Sequence, residues 1–368
     1  MNLSKGFKNL SDINYKVCNI CIEIINPYLI PVVIIAGIIG NILCMIAVLC
    51  TKLKKYSSNG YLVGLFASDC IILLNHLAVK MNLCYDAGFC RTCIFIQYLT
   101  TFFSVWVLTA FTTERFIVIA YPWQQFIHIK NWKTTNKIIL SILFSGIIFS
   151  SPWLYLVKFE KGSCGHREDT EGIKYFINIL VYTESVITFF IPTFIICILN
   201  FWIAKSITKS NKRLSIVSRI PYSRASISKL EKSSINNTSS FKVERFHQKR
   251  DYESSNVKQS RKKAVNHPMG KEQNGINLTL IVLSVTFVLC NAPFYIVLTI
   301  VKIMSDFVPN DGTKSMIFHL LYTKSILEYF YLLNFCLNFL LYSISSRHFR
   351  QCFKDLMISI KNILCSIF

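Results

Sequence analysis

The stretch VLTAFTTERFIVIAYPW, Val107 to Trp123, decides how this chain is read. It closes a run from Ile94 to Thr113 that holds no charged side chain. Glu114 and Arg115 then stand side by side, and the apolar run resumes. An uncharged run of about 20 residues is long enough, as an α-helix, to cross the hydrocarbon of a bilayer. An acid and an arginine at its end sit where lipid gives way to water.

The rest of the chain has the same character. Of 368 residues, 52% are hydrophobic and 16% charged, 29 are Phe, and the mean hydropathy is +0.44. That balance excludes an ordinary soluble domain. Around the segment 91–120 stand six more apolar segments, at about 27–50, 60–84, 137–157, 175–204, 275–303 and 315–343. The expected fold is an all-α membrane protein, a seven-transmembrane helix bundle. No segment repeats another, which argues against a transporter built from duplicated halves.

The net charge of +21 falls on alternate loops. Lys52, Lys54 and Lys55 follow the first segment, and His128, Lys130 and Lys133 the third. Residues 205–272 hold 17 Lys and Arg against 5 Asp and Glu, and Arg347, Arg350, Lys354 and Lys361 follow the seventh segment. Lys and Arg excess marks the cytoplasmic side, so the N-terminus is expected outside and the C-terminus inside. The basic face then meets anionic membrane lipid, not nucleic acid.

Residues 1–26 form an extracellular segment without a cleavable signal pattern. Asn2-Leu3-Ser4 is a glycosylation sequon. The polar, Ser- and Lys-rich stretch 207–273 is expected as a disordered third inner loop. In 344–368, Phe349, Cys352, Phe353, Leu356, Met357 and Ile360 recur every three or four residues. That spacing makes an amphipathic helix suited to the inner interface. Cys352 on it is either a palmitoylation site or a membrane-shielded thiol.

Polar side chains at mid-membrane depth are costly. Asp69 lies in LVGLFASDCIILL, Asn41 in AGIIGNILC, and Asn334 and Asn338 in LLNFCLNFLLY. Asp69 is therefore expected to face inward, toward the asparagines and water. For Asn41 the plainer reading is interhelical hydrogen bonding.

Taken in order, several motifs now form one pattern. They are Gly40-Asn41; Ala67-Ser68-Asp69; Glu114-Arg115-Phe116 with Pro122; Pro192; Cys290-Asn291-Ala292-Pro293; and Asn338-Phe339-Leu340-Leu341-Tyr342 followed by Phe349-Arg350. Over nearly its whole length the chain resembles the rhodopsin-like (class A) G-protein-coupled receptors. The resemblance implies that Glu114, Arg115, Phe116, Pro122, Pro293, Asn338 and Tyr342 form an activation switch. In it the arginine is held by its acidic neighbour at rest. It later helps form the floor on which a heterotrimeric G protein docks. Arginine cannot shed its proton, so it must always be paired or hydrated. Receptor kinases and arrestin are further implied partners.

Asp69, Ser104, Asn334 and Asn338 resemble the family's allosteric sodium site; hydrated packing without an ion is the alternative. The resemblance also implies a Cys90–Cys164 disulfide on the oxidising outer side, with Cys93 as a competitor. Ligand contacts are implied in the outer half of the bundle. Gln97 stands where monoamine receptors carry an amine-pairing aspartate, so a monoamine is not expected. Leu332 stands where opsins carry their lysine, so neither is retinal.

Glu184 and Glu328 fall in that outer half. They imply a cationic group on the ligand, or raised pKa values that leave them neutral, or internal pairing with Lys80 and Lys324. Tyr98, Phe294, Tyr295 and Tyr331 would add an aromatic wall, with Asn291 in place of the usual tryptophan. Phe339, in place of the helix-seven proline, resembles invertebrate FMRFamide-like neuropeptide receptors. The expected ligand is thus an amidated peptide; a non-peptide small molecule is the alternative. Neither a metal box nor a catalytic nucleophile pattern is seen, so the chain is not expected to be an enzyme. A channel or transporter would need a polar path through the bundle.

This topology is open to direct measurement. Epitopes placed after residue 1 and within the 220–260 stretch should label on opposite faces of intact cells. Labelling on one face would end the seven-crossing reading.

Overall fold

In hydrocarbon a backbone N–H finds no water, so each crossing must satisfy itself as a helix. This overrides local preference. The β-branched run IPVVIIAGIIGNILCMIAVLC forms helix α1, Ile30–Cys50. The computed structural model describes residues 28–50, 59–81, 86–120, 132–160, 163–167, 169–219, 268–307, 311–345, 349–351, 353–355, 357–358 and 361–362. Asn2, Pro122, Cys352, Cys18, Cys21 and Cys84 lie outside them.

After α1 come α2 (Asn59–Lys80), α3 (Ala87–Ala120), α4 (Trp132–Ser150) and the one-turn α5 (Trp153–Leu156). Strands β1 (Val157–Glu160) and β2 (Ser163–His166) follow, then α6 (Glu171–Ser185), a π turn (Val186–Phe190) and α7 (Ile191–Arg219). The remaining helices are α8 (Pro268–Phe307), α9 (Asp311–Cys336) and α10 (Asn338–Ser345). Among the described residues six helices are long and apolar enough to cross a membrane, and the bent pair α9–α10, counted as one span, makes a seventh.

The chain divides into two compact units, residues 1–203 with 278–368, and residues 204–277. In the second unit the described parts, up to Arg219 and from Pro268, are helical. The expected loop 207–273 is therefore too long at both ends. The stretch KSITKSNKRLSIVSR, 205–219, contains neither Gly nor Pro, and the helix runs through it to end before Pro221.

The fourth segment also departs from expectation. Its helix ends at Ser150, just before Pro152, and Val157 belongs to a strand. The hairpin pairs Val157 with His166 and Phe159 with Cys164. Polar residues in 158–174 favour this excursion into water over more helix.

Caps and hydroxyls close the local accounts. Asp86 Oδ1 accepts from the Phe89 amide at 2.8 Å ahead of α3, and Thr170 Oγ1 accepts from the Ile173 amide at 3.3 Å ahead of α6. Along α3 the hydroxyls of Thr100, Thr109, Thr112 and Thr113 donate to carbonyls one turn back, at 2.7–2.8 Å. They thus cross hydrocarbon without an unmet donor.

The seventh crossing bends by 53° between Cys336 and Asn338, though no proline is there. Two features of α1 account for it. Gly37 and Gly40 let the backbones close in: a Cβ on Gly37 would lie 2.7 Å from Cys336 Sγ and 3.1 Å from Cys336 Cα, and one on Gly40 would lie 3.0 Å from Phe339 Cβ. The Asn41 amide then donates to the Phe335 carbonyl at 2.8 Å, entering the helix ladder at the bend.

Burial is inverted relative to a soluble protein. Asn41, Asp69, Ser104, Asn291 and Asn338 are buried, while Ile35, Ile39, Leu74, Phe144 and Phe194 are exposed. Lipid is the solvent for that outer surface.

Gly37→Ala is expected to force α1 from α9. It should cost about 1–3 kcal/mol by overpacking and lower the thermal unfolding midpoint in detergent. Gly172→Ala, with nothing within 4 Å of the added carbon, should leave the midpoint unchanged.

Candidate functional site

The buried polar residues converge at the centre of the bundle. Asp69 on α2 is 1% exposed. Its Oδ1 accepts from Ser104 Oγ of α3 at 3.2 Å, and its Oδ2 accepts from Asn338 Nδ2 of α10. Asn338 Nδ2 also reaches Asn41 Oδ1 of α1 at 3.4 Å, and Asn41 donates on to the Gly37 carbonyl at 3.0 Å. One carboxylate so ties together four crossings. Asn334, half-buried on the preceding turn, takes no part in these bonds.

At the inner end of α3, Arg115 is buried, with its guanidinium carbon 5.4 Å from the centre of the Phe111 ring. Glu114 and Phe116 flank it, half-buried. Tyr342 is buried edge-on to Phe66 at 5.3 Å and lies 5.8 Å from Phe349. Phe339 packs 6.1 Å from Phe349 and 5.4 Å from Phe353. Arg350 Nη1 donates to the Ser343 and Ile344 carbonyls at 2.9 and 2.7 Å, closing the end of α10. The phenylalanine found in place of a proline thus becomes a contact for the segment that follows.

Proline and polarity meet again in α8. Pro293 lies inside that helix, and buried Asn291 donates to the Phe287 carbonyl at 2.6 Å. One N–H of Asn291 is thus given to its own helix, leaving its second N–H and its oxygen outside that bond.

The outer end is built around aromatic rings. Tyr98 stacks on Trp153 at 4.3 Å, and Trp153 meets His166 of β2 at 5.2 Å. Phe189 stacks on Tyr295 at 4.7 Å, Phe294 on Tyr331 at 5.1 Å, and Tyr295 meets Tyr331 at 6.3 Å. Thr101 Oγ1 and the Tyr331 hydroxyl are 3.3 Å apart. Gln97 accepts from Asn75 Nδ2 at 3.0 Å and donates to Thr101 at 3.4 Å.

The two outer acids have different surroundings. Glu184 acts electrostatically on Tyr98, Tyr295 and Tyr331, and among the described residues no cation acts on it. Glu328 also acts on Tyr331, and it acts on His76, which feels Lys80 as well. Nothing in the sequence separated the two; their neighbours come from other helices. Asn75, His76, Thr101 and Thr188 were not singled out either, because single polar residues on apolar helices carry no periodic signal.

The hairpin closes over one side. Cys90 and Cys164 form a disulfide with Cα atoms 5.8 Å apart, and Cys93, the competitor, is buried and outside that bridge. Arg91 Nε donates to the Val157 carbonyl at 3.1 Å. On the exposed side, Lys158 contacts Glu160 at 3.1 Å and Asp169 at 3.3 Å, and Arg167 contacts Asp169 at 3.0 Å. Arg167 and then Lys158 hold the Asp169 carboxyl below its usual range. Glu160, ahead of Asp169, raises the Lys158 ammonium. The Asp169 contribution is present above the ordinary carboxylate range and fades as pH falls through the lowered one. Solvent screening keeps it small.

Comparison with known proteins bears on this arrangement. A family model described as "7 transmembrane receptor (rhodopsin family)" matches residues 40–342. The chain is 30% identical over 128 residues to a thyrotropin-releasing hormone receptor of Gallus gallus, covering 33% of this chain and 32% of the relative. It is 23% identical over 198 residues to a somatostatin receptor type 2 of Sus scrofa, covering 50% and 52%. It is 26% identical over 137 residues to the neuromedin U receptor homolog nmur-2 of Caenorhabditis elegans, covering 35% and 34%. The matched stretches thus span about a third to a half of these relatives' lengths.

The central cluster separates charge from shape. Asp69→Asn keeps most of the hydrogen bonds, whereas Asp69→Leu strands the amide of Asn338 and the hydroxyl of Ser104. Each orphaned group costs about 1–3 kcal/mol. The thermal midpoint should fall much further for the leucine variant than for the asparagine one.

Proposed function

The chain belongs to the rhodopsin family of 7 transmembrane receptors, and from that premise we propose that it binds an extracellular peptide and activates a heterotrimeric G protein. It is a multi-pass membrane receptor, not an enzyme. The three relatives, named as receptors for thyrotropin-releasing hormone, somatostatin and neuromedin U, support a peptide ligand.

One observation carries the ligand reading: Glu184 lies within electrostatic reach of Tyr98, Tyr295 and Tyr331, and among the described residues no cation acts on it. An acid in an aromatic cage suits a basic group, through charge and cation–π attraction together. Phe294 and Phe189 extend the wall for an adjacent aromatic side chain. The ligand is therefore a peptide presenting a basic residue beside an aromatic one, with an amidated end that adds no repelling carboxylate. Gln97, bonded to Asn75 and Thr101, offers polar contact at the cage's edge. Glu328 acts on Tyr331 too, but it shares His76 with Lys80, so it is the lesser candidate for the ligand's charge.

The relay is a population shift. An agonist favours the conformer in which the inner end of α8, hinged at Pro293, moves outward and frees a surface at Arg115 and Tyr342. Moving such an equilibrium from 1:99 to 99:1 takes about 5.5 kcal/mol of differential binding. Asp69 and Ser104 present the oxygen donors that a sodium ion prefers, and would hold one in the resting conformer. The Asn338 amide on Asp69 is the alternative occupant of the same carboxylate. Receptor kinases, arrestin and inner-leaflet lipid complete the expected partners.

Amidated peptides screened on expressing cells, with calcium and cyclic-AMP readouts, test this. Glu184→Gln should raise the half-maximal concentration of an activating basic peptide tenfold or more, about 1.4 kcal/mol. Glu328→Gln should change it far less. Arg115→Ala should abolish the response while peptide binding persists. Equal potency on the wild type and Glu184→Gln would remove the cage from the ligand site.

A further inference from the structure

A second cavity, of about 600 Å³, lies between α3, α4 and α7. That volume is in the roughly 300–1,000 Å³ range of small-molecule sites. It is reached from Trp106 to Ile117 along α3, well inward of the tyrosine cage. Opposite α3, Ile138 and Ile142 of α4 and Ile195 of α7 give it an aliphatic face, joined by Thr134 and Thr135 of α4 and Tyr61 of α2. Thr134 and Ile138 are exposed, so the cavity opens sideways, toward lipid.

The α3 wall is polar. Trp106 Nε1 is buried there without a hydrogen-bond partner. Thr109 and Thr113 give their hydroxyl protons to their own helix at 2.8 Å, so their oxygens remain only as acceptors. The Glu114 carboxylate lines the inner end. The cavity thus offers an aliphatic face, several acceptors, one carboxylate and, at Trp106, a donor awaiting an acceptor.

We propose that this cavity is a second binding site, for a bilayer-soluble amine. Its ligand is a lipophilic molecule whose protonated nitrogen sits on Glu114. It carries a hydrogen-bond acceptor about 12 Å away, the rise of the eight residues back to the Trp106 N–H. The bilayer concentrates such a molecule, and the low dielectric strengthens its charge pair. Because Glu114 adjoins Arg115, occupancy acts on the same inner surface that the receptor reading assigns to the G protein. That consequence rests on the receptor reading; the binding does not.

The test uses the purified full chain in phosphatidylcholine nanodiscs. The probe is an alkynyl benzophenone bearing a dimethylaminoalkyl ether. Its ketone is both acceptor and photoreactive group, placed about 12 Å from the nitrogen. Saturable crosslinking is expected within residues 106–117 and 134–142. It should fall tenfold or more in Glu114→Gln, in Ala110→Trp, which fills the cavity, and for an analogue with a neutral carboxamide in place of the amine. Ile142→Trp fills the cavity from α4 should Ala110→Trp lose its thermal transition. Equal labelling by the neutral analogue overturns the proposal. So does labelling spread over lipid-facing residues such as Ile35 and Ile39, or labelling unchanged in the filled variants. No G protein or peptide is present, so failure here leaves the receptor reading standing, and failure of peptide activation leaves this labelling expected.

Discussion

A carboxylate in the middle of a bilayer has no water to turn to, and the organisation of this bundle follows from supplying it with donors. Asp69 takes one hydrogen bond from α3 and one from α10, and Asn338, which gives the second, also donates to Asn41 of α1. Lipid gives helices little hydrophobic reason to associate, so such bonds and close backbone packing must hold them. Both occur along one line. Gly37 and Gly40 admit the seventh crossing, and Asn41 takes the carbonyl exposed where it bends.

The same economy explains why a bend survives without proline. A proline would break the ladder by removing a donor. Here Asn41 competes for the acceptor instead, and Phe339 is left to pack on Phe349 and Phe353. The substitution moves from backbone chemistry to aromatic packing. It links the bent helix to the residues after it, next to Tyr342.

At the outer end the disulfide and hairpin hold Trp153 against Tyr98, while the rings of α8 and α9 close from the other side. Glu184 lies within electrostatic reach of tyrosines in this frame, and among the described residues no cation acts on it. In a medium that penalises isolated charge, such a group points to something arriving from outside. Farther in, the cavity beside Glu114 repeats the logic at a smaller scale: polar atoms on α3 facing a space that aliphatic side chains do not fill.

Much of this was legible in the chain alone. Apolar length fixed the number of crossings, because hydrocarbon thickness sets how many residues a helix needs. Lys and Arg counts gave their direction, and mid-membrane position marked Asp69, Asn41 and Asn338 as inward. What stayed hidden depended on rotation of one helix about another. Glu184 and Glu328 look alike along the chain and both act on Tyr331, yet one also acts on Tyr98 and Tyr295 and the other on His76. Val157 looked like the end of a helix until the hairpin claimed it. The bend at Leu337 had lost its proline signal. Length and charge are properties of a segment by itself, so sequence determines them. Which side chain faces which is a property of packed pairs, and only the tertiary structure decides it.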